Sequence, residues 1–267
     1  MPVFQLILVA VIQGLTEFLP VSSSGHLALL PQLSGLADQG LAIDVAVHVG
    51  TLFAVVLYFW SDVRVALAGT GRLLRGRIDT QGAFLALCLA IATVPVVLIG
   101  LILHATGLSD AFRSVAVIGW TMLIFGLVLY WADQTGSSER KGEDWTIRHA
   151  AIMGLWQALA LIPGTSRSGI TITAARQLGY ERSEAARLAM LMSIPTILAS
   201  GMVLGLDVAM NGNAGLARDI LIAAAMAFGA ALLALRLMMY FLQSVSYTPY
   251  VIYRVILGVI LLVYAYS

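Results

Sequence analysis

The sequence predicts an all-α integral membrane protein: an inverted-topology repeat of six transmembrane helices and two re-entrant helical hairpins. Three observations predict it. Of 267 residues, 60% are apolar and 11% charged, with a mean hydropathy of +0.93, whereas a soluble domain devotes about a quarter of its length to charge. Residues 84–103, 115–132 and 188–206 contain no charged side chain, and about 20 helical residues cross a hydrocarbon core of roughly 30 Å. One helix-breaking pattern also occurs twice, as QGLTEFLPVSSSGH from Gln13 to His26 and as QALALIPGTSRSG from Gln157 to Gly169. Each copy has a glutamine, an apolar half-helix, a proline, a serine cluster and a closing glycine.

The elements follow in order. Residues 1–33 form the first hairpin. Its apolar stretch, 2–16, is interrupted by Glu17, Pro20, three serines, Gly25 and His26, and a short apolar run then ends at Pro31. No basic region precedes it and no small-residue cleavage site follows, so it reads as structure rather than as a signal peptide. A span at 45–60 leads to a basic loop with Arg64, Arg72, Arg75 and Arg77, then to spans at 84–103 and 115–132. Residues 133–144 read as a solvated loop. The second hairpin, 147–178, breaks at PGTSRSG and precedes spans at 188–206, 220–242 and 250–266, the last two containing Arg236 and Arg254. Trp60, Trp120, Trp131, Trp145 and Trp156 read as interface anchors near span ends.

Non-helical backbone survives at membrane depth only where protein or a water-filled cavity covers it. Two matching breaks at corresponding places favour hairpins over ordinary kinked spans. The chain then reads as one membrane domain, 1–267, with repeat 1 at about 1–132 and repeat 2 at about 147–267. Three crossings after each hairpin invert the second half, and such folds place their site where the interrupted segments meet. Alternating the spans puts Arg64, Arg72, Arg75, Arg77, Arg140, Lys141, Arg148, Arg176, Arg182 and Arg187 on one side, which the positive-inside rule makes cytoplasmic. The opposite loops offer Arg113 and Arg218. The single Cys88 excludes an intrachain disulfide, and a net charge of +1 gives no hint of nucleic acid.

An ionisable residue at membrane depth is expensive and points to a function. Glu17 and His26 sit on the first tip and Arg167 on the second. In PGTSRSGIT, the backbone of Gly164, Thr165 and Gly169, the hydroxyls of Ser166, Ser168 and Thr171, and the fork of Arg167 suit a phosphate. PVSSSGH offers Ser22, Ser23, Ser24 and Gly25 opposite, and a helix cap needs only one such hydroxyl. The set points to phosphoryl transfer by positioning and charge neutralisation. Glu17 or His26 would draw a proton from Ser23, whose Oγ attacks phosphorus. A water activated by Glu17, or His26 as direct nucleophile, are the alternatives. A divalent cation can bridge Glu17 and the phosphates. Asp44 and His48, four apart at a span start, read as a helix-start charge and a polar contact. The rival function is a transporter or lipid flippase with a midplane anion site. A proton acceptor beside a hydroxyl favours the enzyme.

QGLTEFLPVSSSGH followed by PGTSRSG resembles the two signature segments of the undecaprenyl-pyrophosphate phosphatase family, the bacitracin-resistance proteins, and YVIYR near the C-terminus extends the likeness along the chain. The resemblance implies an inner-membrane hydrolase that removes the terminal phosphate of the C55 isoprenoid pyrophosphate, recycling the carrier for peptidoglycan synthesis and conferring bacitracin resistance. It further implies a site open to the periplasm and a homodimer. Matched by motif, its acidic pair falls on Gln13 and Glu17, which become ligands for a divalent cation, Mg²⁺ or Ca²⁺, with Gln13 the neutral choice. Its serine and histidine fall on Ser23 and His26, its phosphate-binding arginine on Arg167, and a late supporting arginine on Arg254.

Overall fold

The computed structural model describes residues 1–35, 37–108, 112, 114–211 and 214–267, the side chains of 32–34, 203–211 and 214–216 lying outside that description, as does Arg113. Among the described residues, eleven α-helices run α1 (Val3–Thr16), α2 (Ser23–Ser34), α3 (Leu41–Tyr58), α4 (Trp60–Leu73), α5 (Gln81–Thr106), α6 (Val115–Thr135), α7 (Ile147–Ala158), α8 (Arg167–Gln177), α9 (Arg182–Asn211), α10 (Ala214–Phe241) and α11 (Thr248–Tyr266). Six of them, α3, α5, α6, α9, α10 and α11, are long and apolar enough to cross a membrane. The protein is an all-α integral membrane protein, as its hydropathy requires. Among the described residues the one β-type pairing is an isolated bridge between Arg140 and Tyr180.

Local chemistry sets the boundaries. Thr80, Ser114 and Thr146 cap α5, α6 and α7 by accepting from Ala83 N, Val117 N and His149 N, each cap adding about 0.5–2 kcal/mol. Pro95 and Pro195 lie inside α5 and α9. Nearby hydroxyls of Thr93 and Ser193 bond the backbone oxygens of Leu89 and Met190.

Lipid is as apolar as leucine, so helices associate by close packing and polar contacts rather than by expulsion of water. Small residues accordingly line the contacts of the two broken segments. A Cβ on Gly14 would stand 2.6 Å from the Ala227 carbonyl oxygen, and one on Gly154 would stand 2.6 Å from that of Ala92. By these approaches α1 docks on α10 and α7 docks on α5. Large apolar side chains such as Phe4, Leu98, Trp131 and Tyr240 remain exposed on the outside, where a bilayer would meet them.

Three expectations are corrected. Residues after Trp60, read as a loop, form α4, with Asp62 in the first turn and Arg72 in the last, the order that the helix dipole favours. Arg72 pairs with exposed Asp79 at 2.5 Å, and that hydrogen bond holds the Asp79 carboxyl below the usual range. Asp133, placed at the start of a solvated loop, is instead 1% exposed. It accepts from Arg176 Nε at 3.2 Å, Arg182 Nε at 2.7 Å and Tyr247 N at 3.1 Å, tying α6, α8, α9 and the start of α11 together. Trp145 is buried in the core at 4% exposure, unlike Trp60, Trp120 and Trp131, so it is a packing residue and not an interface anchor.

Candidate active site

Two serines reverse the chain at the breaks. Ser22 and Ser166, at φ +71° each, are the only described non-glycine residues with positive φ, a conformation that costs roughly 1–3 kcal/mol and persists only when its surroundings fix it. Each is the N-cap of the helix that follows. Ser22 Oγ accepts from Gly25 N at 3.3 Å and Ser166 Oγ from Gly169 N at 3.1 Å. The duplicated motif thus folds into the same turn twice. Gly164 (φ +87°) sits in the second turn against α6, where a Cβ would fall 2.2 Å from Thr121 Oγ1. Thr121 Oγ1 donates to the neighbouring Pro163 carbonyl at 2.6 Å.

The tips meet. Ser168 Oγ donates to the Leu19 carbonyl at 2.9 Å. Arg254, from α11, is 0% exposed and donates across both tips, to Pro20 O at 3.4 Å on the first and to Gly164 O at 3.1 Å and Thr165 O at 2.9 Å on the second. Its remaining bonds go to Met122 O and Thr121 O on α6.

Glu17 lies at the centre of the junction, 8% exposed. Its Oε1 accepts from Arg167 Nη2 at 2.5 Å, while Oε2 accepts from Ser23 Oγ at 2.6 Å and Gln13 Nε2 at 2.8 Å. A buried carboxylate and guanidinium survive desolvation only as a bonded pair, and breaking such a pair costs about 3–5 kcal/mol. The arrangement leaves one edge of the guanidinium over: Arg167 Nη1 is buried with no partner. Such an orphan donor suits an anion. Thr165 Oγ1 and Gln13 Oε1 are also buried without partners.

Of the residues expected at the site, Gln13, Glu17, Ser23 and Arg167 come into direct contact. His26 does not join them. Its Nδ1 donates to the Ser22 carbonyl at 2.6 Å, so its Nε2 accepts from Tyr253 Oη at 2.6 Å, the two rings stacking at 5.7 Å and 8°; a carbonyl can only accept, which fixes this tautomer of the neutral ring. Ser23 Oγ donates to Glu17 and not to His26. Ser168, Thr171 and Arg254, expected to bind phosphate, instead spend their donors on backbone carbonyls: Leu19 for Ser168, Arg167 for Thr171, and both tips for Arg254. Ser166 faces Ser168 at 3.1 Å, whereas Ser24 is exposed beside Ser22 at 3.4 Å.

Sequence reading missed Tyr253, visible only as the residue before Arg254, and Thr121, which carries no motif. It set His48 aside as well, yet His48 Nε2 stands 3.9 Å from Glu17 Oε2.

The family described as Bacitracin resistance protein BacA matches residues 6–260. The chain is 74% identical over 267 residues to a protein of Dinoroseobacter shibae named Undecaprenyl-diphosphatase. Proteins of the same name from Roseobacter denitrificans and Jannaschia sp. are 72% and 68% identical over 267 residues, and all three alignments cover 100% of both chains. With a whole-length match at such identity and both signature loops folded against each other around Glu17, the chain belongs to the bacitracin resistance protein BacA family.

Proposed function

We infer that the chain is a membrane hydrolase that removes the terminal phosphate of undecaprenyl diphosphate, giving undecaprenyl phosphate and inorganic phosphate. The activity that its relatives' names state is the one the site is built for, and bacitracin resistance follows from the family's name. One observation supports the chemistry most: Glu17 is bonded at once to a hydroxyl, Ser23, and to a guanidinium, Arg167, whose second edge has no partner in the protein.

In the proposed reaction, Arg167 Nη1 and Thr165 Oγ1 bind oxygens of the terminal phosphate, with Ser24 at the exposed rim. Ser23 Oγ gives its proton to Glu17 and attacks the terminal phosphorus. The bond from that phosphorus to the bridging oxygen breaks, and undecaprenyl phosphate leaves. Glu17 passes that proton to the departing oxygen, takes a proton from a water that attacks the phosphoserine, and returns it to Ser23 Oγ as inorganic phosphate leaves. Such positioned proton transfer contributes about 10²–10⁴-fold. His26, held between Ser22 and Tyr253, orients the serine loop, and Arg254 binds the two tips together.

The residues also fit a divalent cation. Glu17 supplies a carboxylate and Gln13 Oε1 a buried acceptor with nothing bonded to it. When bound, such an ion would neutralise charge on the phosphate oxygens.

The same proposal includes an inner-membrane location, two re-entrant hairpins related by an inverted repeat, a site open to the periplasm and a homodimer. The matching turns at Ser22 and Ser166, and the reciprocal docking of α1 on α10 and α7 on α5, support the repeat. Clustering of the basic residues around α4 and the start of α9, through the Arg187–Asp62 pair, supports the orientation.

The test is phosphate release from undecaprenyl diphosphate by purified protein in detergent micelles. Glu17→Gln should abolish it while leaving the protein monodisperse. Release at the wild-type rate from that variant would reject the site.

A further inference from the structure

Helix α4 presents an outward surface to which the hydrolase reading gives no task. Phe59 alone separates it from α3, a membrane span. Its middle is held against the first turn of the next span, α5: a Cβ on Gly82 would overlap the Val65 carbonyl, and one on Gly69 would overlap the Gly82 backbone. Start and middle of α4 therefore both lie at the level where spans end or begin. The Asp62–Arg187 pair ties its first turn to the start of α9. A helix fixed at two such points runs along the membrane face.

Its sequence suits that position. Val63 and Gly69 turn inward, while Trp60, Leu67 and Leu74 form one outward line at 50%, 61% and 83% exposure. They are spaced seven apart, which is two helical turns to within about 20°. The line continues the outer surface of α3, where Phe53 and Leu57 are also exposed. Arg64 lies beside it, one turn on from Trp60, and Arg75 and Arg77 follow in the turn that closes the helix. Both carboxylates of the segment are taken, Asp62 by Arg187 and Asp79 by Arg72. The exposed side chains of Arg64, Arg75 and Arg77 have no bonded partner among the described residues.

We propose that α4 and the turn after it form an interfacial binding surface for acidic phospholipid headgroups. Trp60, Leu67 and Leu74 sit at the acyl boundary, and Arg64, Arg75 and Arg77 meet the phosphates. An apolar line flanked by unpaired arginines is the pattern of a helix lying in a bilayer interface, and its affinity grows with the negative charge of the lipid. Each arginine near such a surface is worth about fivefold in binding. A headgroup that meets two of the three should therefore be held roughly 25-fold more tightly than a zwitterionic one.

The experiment is native mass spectrometry of the purified full-length protein in detergent, titrated with phosphatidylglycerol or with phosphatidylcholine of the same acyl chains. Wild type should retain phosphatidylglycerol roughly 25-fold more tightly, and the preference should shrink as ionic strength rises. The triple substitution R64Q/R75Q/R77Q should abolish the preference, whereas Lys141→Gln with Arg148→Gln, at exposed positions elsewhere, should leave it. A nitroxide on Leu67→Cys in a phosphatidylglycerol nanodisc should be shielded from a water-soluble relaxant and open to oxygen. The wild-type and nitroxide arms stand even if the triple variant folds poorly. Equal retention of the two lipids by wild type, a preference that survives R64Q/R75Q/R77Q, or a Leu67→Cys label in bulk water would each overturn the proposal. So would a dimer broken by Leu67→Gln, which would give the apolar line to a second copy.

Discussion

Replacing Arg167 by lysine separates its two jobs. One edge of the guanidinium, Nη2, bonds Glu17 at 2.5 Å, and the other nitrogen, Nη1, is buried without a partner. Lysine retains the positive charge that Glu17 needs but offers one ammonium in place of a two-edged fork. The fold should therefore persist, and the loss should fall on the phosphate contact alone. A hydrogen bond to a charged group is worth about 1.5–3 kcal/mol, and each 1.36 kcal/mol is tenfold in rate, so kcat/KM should drop roughly 10- to 150-fold. Arg167→Ala instead strands the Glu17 carboxylate, which is 6% exposed in its side chain, and should cost about 3–5 kcal/mol of stability in addition. Phosphate release with undecaprenyl diphosphate gives the first number, and thermal melting in detergent gives the second. An Arg167→Lys variant within threefold of wild type would refute the two-edge argument. So would one that melts as low as Arg167→Ala.

Further outcomes follow from individual contacts. Ser23→Ala should lower turnover at least about a hundredfold and abolish any trapped phosphoprotein from labelled substrate, leaving the melting temperature near wild type. Tyr253→Phe keeps the stacking on His26 but removes the 2.6 Å hydrogen bond. At about 0.5–1.5 kcal/mol for a neutral bond, turnover should fall about 2- to 12-fold. Arg254→Met leaves Pro20, Gly164 and Thr165 carbonyls without their donor, so it should lower the detergent melting point more than any other change named here. Gly164→Ala places a Cβ 2.2 Å from Thr121 Oγ1 at φ +87°, whereas Gly201→Ala meets nothing within 4 Å. The first should destabilise, and the second should stabilise by about 0.5–1 kcal/mol as Gly→Ala in a helix does.

The six spans were legible because charge-free length is a one-dimensional property, and α5 (Gln81–Thr106) and α6 (Val115–Thr135) contain the stretches read from composition. The junction of Glu17 with Arg167 was legible because the same break recurs and buried charges need partners. Helix α4 was not, since it is amphipathic and its arginines resemble a loop. Nor could residue type show which hydroxyls face inward. Ser168 and Thr171 look like phosphate donors in a string but are 1% and 0% exposed, with their hydrogens on carbonyls. His26 illustrates the same limit. It lies on the Ser23 loop, yet one helical turn rotates its ring toward Tyr253 from a distant part of the chain. The approach of His48 to Glu17 depended on the packing of α3 against α1, a long-range contact that no local spacing encodes.

The position of Arg254 bears on how the protein comes into being. Its helix leaves the ribosome after every other part of the site, so a nascent chain inserts both serine loops before the guanidinium that lashes them exists. Until then the carbonyls of Pro20, Gly164 and Thr165 must find other donors. The lashing of one tip to the other waits for α11.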